Sequence, residues 1–166
     1  MQTIMITGCS SGFGLETARY FLEQGWKVIA TMRAPQEGVL PASDRLRLVR
    51  LDVTSAQSIA EAIAEVGEID VLVNNAGVGM LNALEGAPRE AIANLFATNT
   101  LGTVAMTQAV IPRFRARRSG TIVNITSAVT LQPMPLLAVY TASKAAVNAF
   151  TESLALELRA FNIRVG

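Results

Sequence analysis

Histidine is missing altogether, and with it the commonest catalytic base and the commonest metal ligand. Any acid/base chemistry in these 166 residues has to run through other groups, and no metal site is expected. The single cysteine, Cys9, has no partner for an internal disulfide. Charge is scarce as well: Asp, Glu, Lys and Arg make up 16% of the chain, against about 25% in an average domain. With 51% of residues hydrophobic, so few charges imply elements buried on two sides or against other subunits. The net charge is +1, and the one dense basic run, residues 113–118, is too small to be a nucleic-acid footprint. Residues 91–112 and 119–143 carry no charge over lengths that could span a bilayer, but their Asn, Gln, Thr, Ser and Pro content argues against that. No basic segment precedes an apolar stretch at the start, since residues 2–7 already read as a strand. The expectation is a single-domain cytoplasmic protein that binds neither nucleic acid nor membrane.

What is present is a repeated alternation of strand and helix. Thr3-Ile4-Met5-Ile6 is a short, wholly apolar run of the kind buried on both faces of a parallel sheet. It leads into Thr7-Gly8-Cys9-Ser10-Ser11-Gly12-Phe13-Gly14, then a helical period over residues 15–24 with Gly25 as its C-cap. Glycines between a strand and a helix permit a tight turn, let a pyrophosphate approach the backbone, and place its charge at the positive helix terminus. The spacing here is Gly-x-x-x-Gly-x-Gly, and a flexible turn with no ligand is the plainer reading. A second strand over 26–32 ends Thr31-Met32-Arg33. The acid that holds the adenosine ribose hydroxyls in the dinucleotide fingerprint is absent there. An arginine at that place suits a 2′-phosphate, so NADP is favoured over NAD, with a solvated surface arginine as the alternative.

Residues 34–44, with Pro35, Gly38 and Pro41, read as loop, and 46–51 as the third strand, with Asp52 and Val53 following at the sheet edge where ligands collect. Thr54 or Ser55 caps a helix to Val66; residues 69–73 form strand four, closed by Asn74-Asn75-Ala76-Gly77. Pro88 opens one long helix through Phe114, apolar nearly all round as a buried or interfacial helix would be. Asn99 sits awkwardly within it, either capping a local backbone group or holding water near a site. Strand five covers 121–125, a proline-containing loop 129–139, a helix continues to about 161, and 162–165 begin a further strand. This alternation is a doubly wound α/β parallel sheet with helices on both faces.

Chemistry enters at Tyr140-Thr141-Ala142-Ser143-Lys144. Four residues apart on a helix, a phenol and an amine share one face about one turn apart. A free tyrosine titrates near pH 10, and a neighbouring ammonium stabilises the phenolate, which suits Tyr140 to general acid/base work. The alternative for the pair alone is a half-buried tyrosine beside a solvated lysine.

Taken in order, Thr7-Gly8-x-x-x-Gly12-x-Gly14, Asp52, Asn74-Asn75-Ala76-Gly77, Asn99, Ser127 and Tyr140-x-x-x-Lys144 closely resemble the short-chain dehydrogenase/reductase family across the whole chain. The resemblance implies a Rossmann fold and hydride transfer between NADP(H), with NAD(H) possible, and a carbonyl compound or secondary alcohol. It makes Asn99, Ser127, Tyr140 and Lys144 a catalytic tetrad: Tyr140 exchanges the proton, Ser127 places the oxygen, Lys144 assists the phenol and binds ribose, and Asn99 holds a relay water. It assigns cofactor binding to Thr7, Gly8, Ser10, Ser11, Gly12, Phe13, Gly14, Arg33, Asp52, Val53, Asn74, Ala76 and Gly77, together with Tyr140 and Lys144. It also implies a homodimer or homotetramer. Family members continue past the strand begun at Ile163 into a substrate-covering segment and a seventh strand, so the resemblance implies that this chain, ending in strand six at Gly166, is part of a longer enzyme. Val129, Leu131, Met134, Leu136 and Leu137 carry no charge between Ser127 and Tyr140, which points to a lipophilic substrate; packing under neighbouring segments is the alternative. Two other functions fit less well. A catalytically silent NADP sensor would have no use for Ser127, Tyr140 and Lys144 together, and a sugar-nucleotide epimerase usually has another glycine spacing.

Overall fold

The computed structural model describes residues 1–166. Six short strands form one parallel sheet: β1 (Thr3–Ile6), β2 (Lys27–Met32), β3 (Leu46–Arg50), β4 (Val71–Asn74), β5 (Gly120–Asn124) and β6 (Ile163–Val165). Their spatial order is β3-β2-β1-β4-β5-β6. The winding reverses between β1 and β4, which opens a crevice beyond the C-terminal ends of those two strands. Strand residues alternate between the two faces as the pleat requires. Met5, Ile29, Leu72 and Ile122 join one core with α2 (Ala56–Val66), α4 (Thr103–Arg117) and α5 (Ala138–Leu158). Ile4, Ile6, Val28, Ala30 and Val73 form the other core with Ala18 and Leu22 of α1 (Gly12–Glu23). The apolar runs of the sequence are therefore explained by burial on both sides.

Most helix ends fall where the local chemistry puts them. After α1 the Gly25 N–H donates to the Leu22 carbonyl and the Trp26 N–H to the Phe21 carbonyl, closing the helix as a C-terminal glycine does. Ser55 caps α2 by accepting from the Ser58 N–H at 3.2 Å. Thr54, the other candidate for that cap, instead bonds Asp52.

The long helix expected from Pro88 onward is not uniform. It comprises α3 (Arg89–Phe96), a wider π-type turn (Ala97–Gly102) and then α4. Its face is also divided, with Leu95, Asn99, Thr103, Met106, Val110 and Phe114 buried and Leu101 and Gln108 exposed. Two contacts account for the widened turn. A Cβ at Gly102 would lie 2.7 Å from Val53 Cγ2, so the helix backbone rests directly on Val53. Asn99, three residues earlier, is fully buried and turned toward the segment after β4. One extra residue in a helical turn re-aims a side chain in this way, and such insertions often mark functional sites. No helix is long and apolar enough to cross a membrane.

Candidate active site

The glycine turn is built against the segment that follows β4. Thr7 Oγ1 accepts the N–H groups of Asn75 at 3.0 Å and Ala76 at 2.9 Å, while Asn75 Nδ2 donates to the carbonyls of Thr7 at 2.9 Å and Gly8 at 3.1 Å. These bonds lock the ends of β1 and β4 together across the point where the winding reverses. Gly8 has φ +75°, and a Cβ there would lie 2.8 Å from Ala76 Cα; only glycine meets both conditions. A Cβ on Gly14 would lie 2.4 Å from the Gly8 carbonyl oxygen, so the first turn of α1 sits on the loop that precedes it. Ser11 occupies the N-cap of α1 without a side-chain cap bond, and no acid lies in the first turn. The positive end of a twelve-residue helix is thus open to an anion, as a pyrophosphate cradle must be.

Asp52 stands at the next strand edge. Its Oδ1 accepts from the Thr54 hydroxyl at 2.7 Å and the Thr54 N–H at 2.9 Å. These two bonds, hydroxyl first, hold its carboxyl below the usual aspartate range, with smaller help from Arg33 and Arg50. Its other oxygen is left for a ligand. Cys9, in the glycine turn, is fully buried, and burial pushes its thiol up to about 12, which removes it from the chemistry.

At the far end of the crevice, α5 carries Tyr140 and Lys144 on one face. Lys144 is buried, and this burial lowers its affinity for the proton. Its Nζ donates to the Ile125 carbonyl at 2.8 Å, which fixes the amine at the end of β5 and leaves its other hydrogens uncommitted. A Cβ at Gly77 would lie 3.4 Å from this Nζ and 3.3 Å from Asn99 Oδ1, so Gly77 packs closely against both groups. Asn99 bonds through both ends of its amide: Oδ1 accepts the Val78 N–H at 2.8 Å, and Nδ2 donates to the Val78 carbonyl at 2.9 Å and Ser143 Oγ at 3.2 Å. The backbone Asn99 bonds is 21 residues away, not the local group expected from the sequence. Ser127 Oγ accepts from the Val129 N–H at 3.4 Å as cap of a short turn, which leaves its own hydrogen free to donate.

A single cleft of about 990 Å³ joins these parts. Gly8, Ser10, Ser11, Phe13, Arg33, Asp52, Val53, Ala76, Gly77, Ser127, Tyr140 and Lys144 all line it. Thr7, Gly12, Gly14, Asn74 and Asn99 do not: three shape the loop, Asn99 clamps Val78, and Asn74 points elsewhere. Asn74 lies in phase with Leu72, so its side chain turns to the helix side and bonds Thr107 and Asn124 at 3.0 and 2.9 Å. Asn75 takes its place in the cleft wall, alongside Thr126 and Thr98, which sequence reasoning passed over. Strand alternation past Val73 was the available signal for Asn75; nothing local marked the other two.

Comparison with known proteins agrees with this arrangement. The 3-ketodihydrosphingosine reductase of Bacteroides thetaiotaomicron is 43% identical over 99% of the chain and 61% of its own length. Retinol dehydrogenase 8 of Bos taurus is 42% identical over 98% of the chain and 56% of its own length, so the chain spans little more than half of such relatives. A solved structure of serine dehydrogenase complexed with NADP+ superposes with a TM-score of 0.92 at 35% identity, over 99% of this chain and 69% of that one. A further neighbour of the same fold is complexed with NADH. The profile described as short chain dehydrogenase matches residues 2–166. With the sheet order, the glycine turn and the Ser127, Tyr140 and Lys144 constellation in one cleft, the chain belongs to the short-chain dehydrogenase family.

Proposed function

We propose that this cleft transfers hydride between NADP(H) and a lipophilic ketone or secondary alcohol, with Tyr140 as general acid/base. The observation that carries the reading is the continuity of the cleft, since the wall that begins at the glycine turn ends at Tyr140 and Lys144. The cradle fits a dinucleotide: Gly8 and Gly14 have no room for a Cβ, and the α1 terminus lacks a cap and an acid. A nicotinamide dinucleotide held there supplies or accepts the hydride. Tyr140 gives its hydroxyl proton to the carbonyl oxygen, or takes one back in the alcohol direction. Ser127 donates its free hydrogen to the same oxygen and fixes its position. Lys144, held by the Ile125 carbonyl, has donors left over that would serve ribose and phenol. Asn99 keeps Val78 and Ser143 in place, and the remaining lone pair on Oδ1 is where a relay water would sit.

The lipophilic part of the reading rests on two segments that continue in sequence from the cleft wall. Leu131, Met134 and Leu136 are exposed on the loop between Ala128 and Tyr140 of that wall, and Leu81 and Leu84 on the segment after Gly79. The Asn82 N–H donates to the Leu136 carbonyl at 2.9 Å, which ties the two apolar segments together. The related reductase of a ketosphingoid base and the retinol dehydrogenase act on lipophilic molecules by their names. We place the enzyme in the cytoplasm, where a lone buried thiol is unremarkable.

The test is NADPH and NADH oxidation against a panel of ketones graded in chain length. We expect NADPH to be preferred, kcat/KM to rise with apolar chain length, and Arg33→Asp to move the preference toward NADH. Binding of NADPH with no oxidation across the panel would instead make the protein a sensor. We also propose a homodimer or homotetramer, because the π-type turn before α4 and the helix α5 present Leu101 and Leu156, 63% and 75% exposed, outside the core. Light scattering at micromolar concentration should give at least twice the monomer mass; a monomer refutes it.

A further inference from the structure

The adenosine end of the cleft contains a charge problem that one arginine does not solve. Asp52 lines that end as an ionised carboxylate, fixed by Thr54. Arg33 lines it too and balances that charge, leaving nothing in surplus for a phosphate that carries roughly −1.5 to −2 near neutral pH. A second cation stands next to the first. Arg50 ends β3 in register with Met32 of β2, the residue before Arg33. Neighbouring strands lie about 4.8 Å apart, so the two arginines leave the same sheet edge from adjacent strands, one residue out of register, and both lie near enough to Asp52 to favour its charged form. Leu51 and Asp52, which follow Arg50, form the cleft wall. Both arginines are exposed, and neither forms an ion pair within the chain. Ser10 and Ser11, also exposed, offer hydroxyls from the facing turn.

We propose that Arg50 is a specificity-determining residue for the cofactor, supplying with Arg33 the paired positive charge that receives the 2′-phosphate of an NADP-type dinucleotide. This rests on the dinucleotide reading of the cleft. Arg33 is the contact on the cleft wall; Arg50 is the cation that turns a neutral surround into a positive one. Because Arg50 is exposed and unpaired, its removal has no structural cost of its own.

The experiment is fluorescence titration of NADPH and NADH with the wild type, Arg50→Gln, Arg50→Lys and Arg33→Gln. Arg50→Gln should weaken NADPH about five- to tenfold, the size of one charge-assisted contact, and leave NADH within about twofold. Arg50→Lys should restore most of the loss, and the discrimination should shrink in about 1 M salt, where screening acts within about 3 Å. Equal weakening of both nucleotides, or none in Arg50→Gln while Arg33→Gln still discriminates, overturns the role of Arg50 and leaves the NADP reading standing. A wild type with no preference, and no discrimination in any variant, overturns the NADP reading and this inference together. A wild type that binds neither nucleotide removes the dinucleotide reading itself.

Discussion

Tyr140→Phe should lose about three orders of magnitude in turnover, the middle to upper part of what a positioned proton donor contributes, while the dissociation constant for NADPH stays within about twofold. The substitution deletes one oxygen from a half-buried ring on α5 and leaves the ring itself in place. In the structure that hydroxyl has no hydrogen-bond partner in the protein, so its removal leaves no buried group unsatisfied and the fold should be unchanged. The groups that would hold the dinucleotide lie mainly elsewhere along the cleft, at Gly8, Ser10, Ser11, Arg33 and Asp52. Single-turnover oxidation of NADPH, read beside a binding titration, separates the two effects. A variant that keeps more than about a tenth of the rate, when a general acid is worth 10²-fold at least, would mean that the proton comes from another group. With no histidine in the chain, the nearest substitutes on the cleft wall are Ser127 and Lys144.

How far the sequence reveals this site depends on whether the information is local. Strands buried on both sides announce themselves as apolar runs, and the run Thr3–Ile6 is one such strand. The helices around Tyr140 and after Gly14 are set by short-range periodicity and by Gly25. Asn99 was visible as a polar residue in an apolar helix, but what it bonds was not, because Val78 is 21 residues away and the contact needs a widened helical turn. The same distinction explains Asn74 and Asn75. Their identity and place at a strand end are local, but which of them faces the cleft depends on the face β4 presents to α4. Arg50 was not legible at all, since its proximity to Arg33 is a matter of strand register and not of spacing.

Gly14→Ala should do more damage than Gly12→Ala, although sequence alone gives no reason to separate the two glycines. Gly12 has φ +61° and open space around its missing Cβ, so alanine there costs only the left-handed backbone, about 1–2 kcal/mol. Gly14 is helical and has no conformational need for glycine, yet its Cβ would lie 2.4 Å from the Gly8 carbonyl oxygen and 2.3 Å from Asn75 Nδ2. Neither neighbour can yield cheaply. The first is backbone held by that same Asn75, and the second bonds the carbonyls of both Thr7 and Gly8. Accommodating the methyl means parting the β1 turn from the segment after β4. The expected cost is about 3 kcal/mol, the upper end for overpacking, and a fall in Tm of roughly 6–12 °C for a chain of this length. Because the displaced atoms are those that shape the dinucleotide cradle, NADPH affinity should fall by more than about tenfold, which corresponds to 1.4 kcal/mol, whereas Gly12→Ala should show the smaller fall in Tm, about 2–8 °C. Thermal melts and NADPH titrations of both variants decide the matter. Equal losses in the two would mean that the turn needs glycine for its backbone angles alone, and that the close approach of α1 to Gly8 has no part in holding the cleft open.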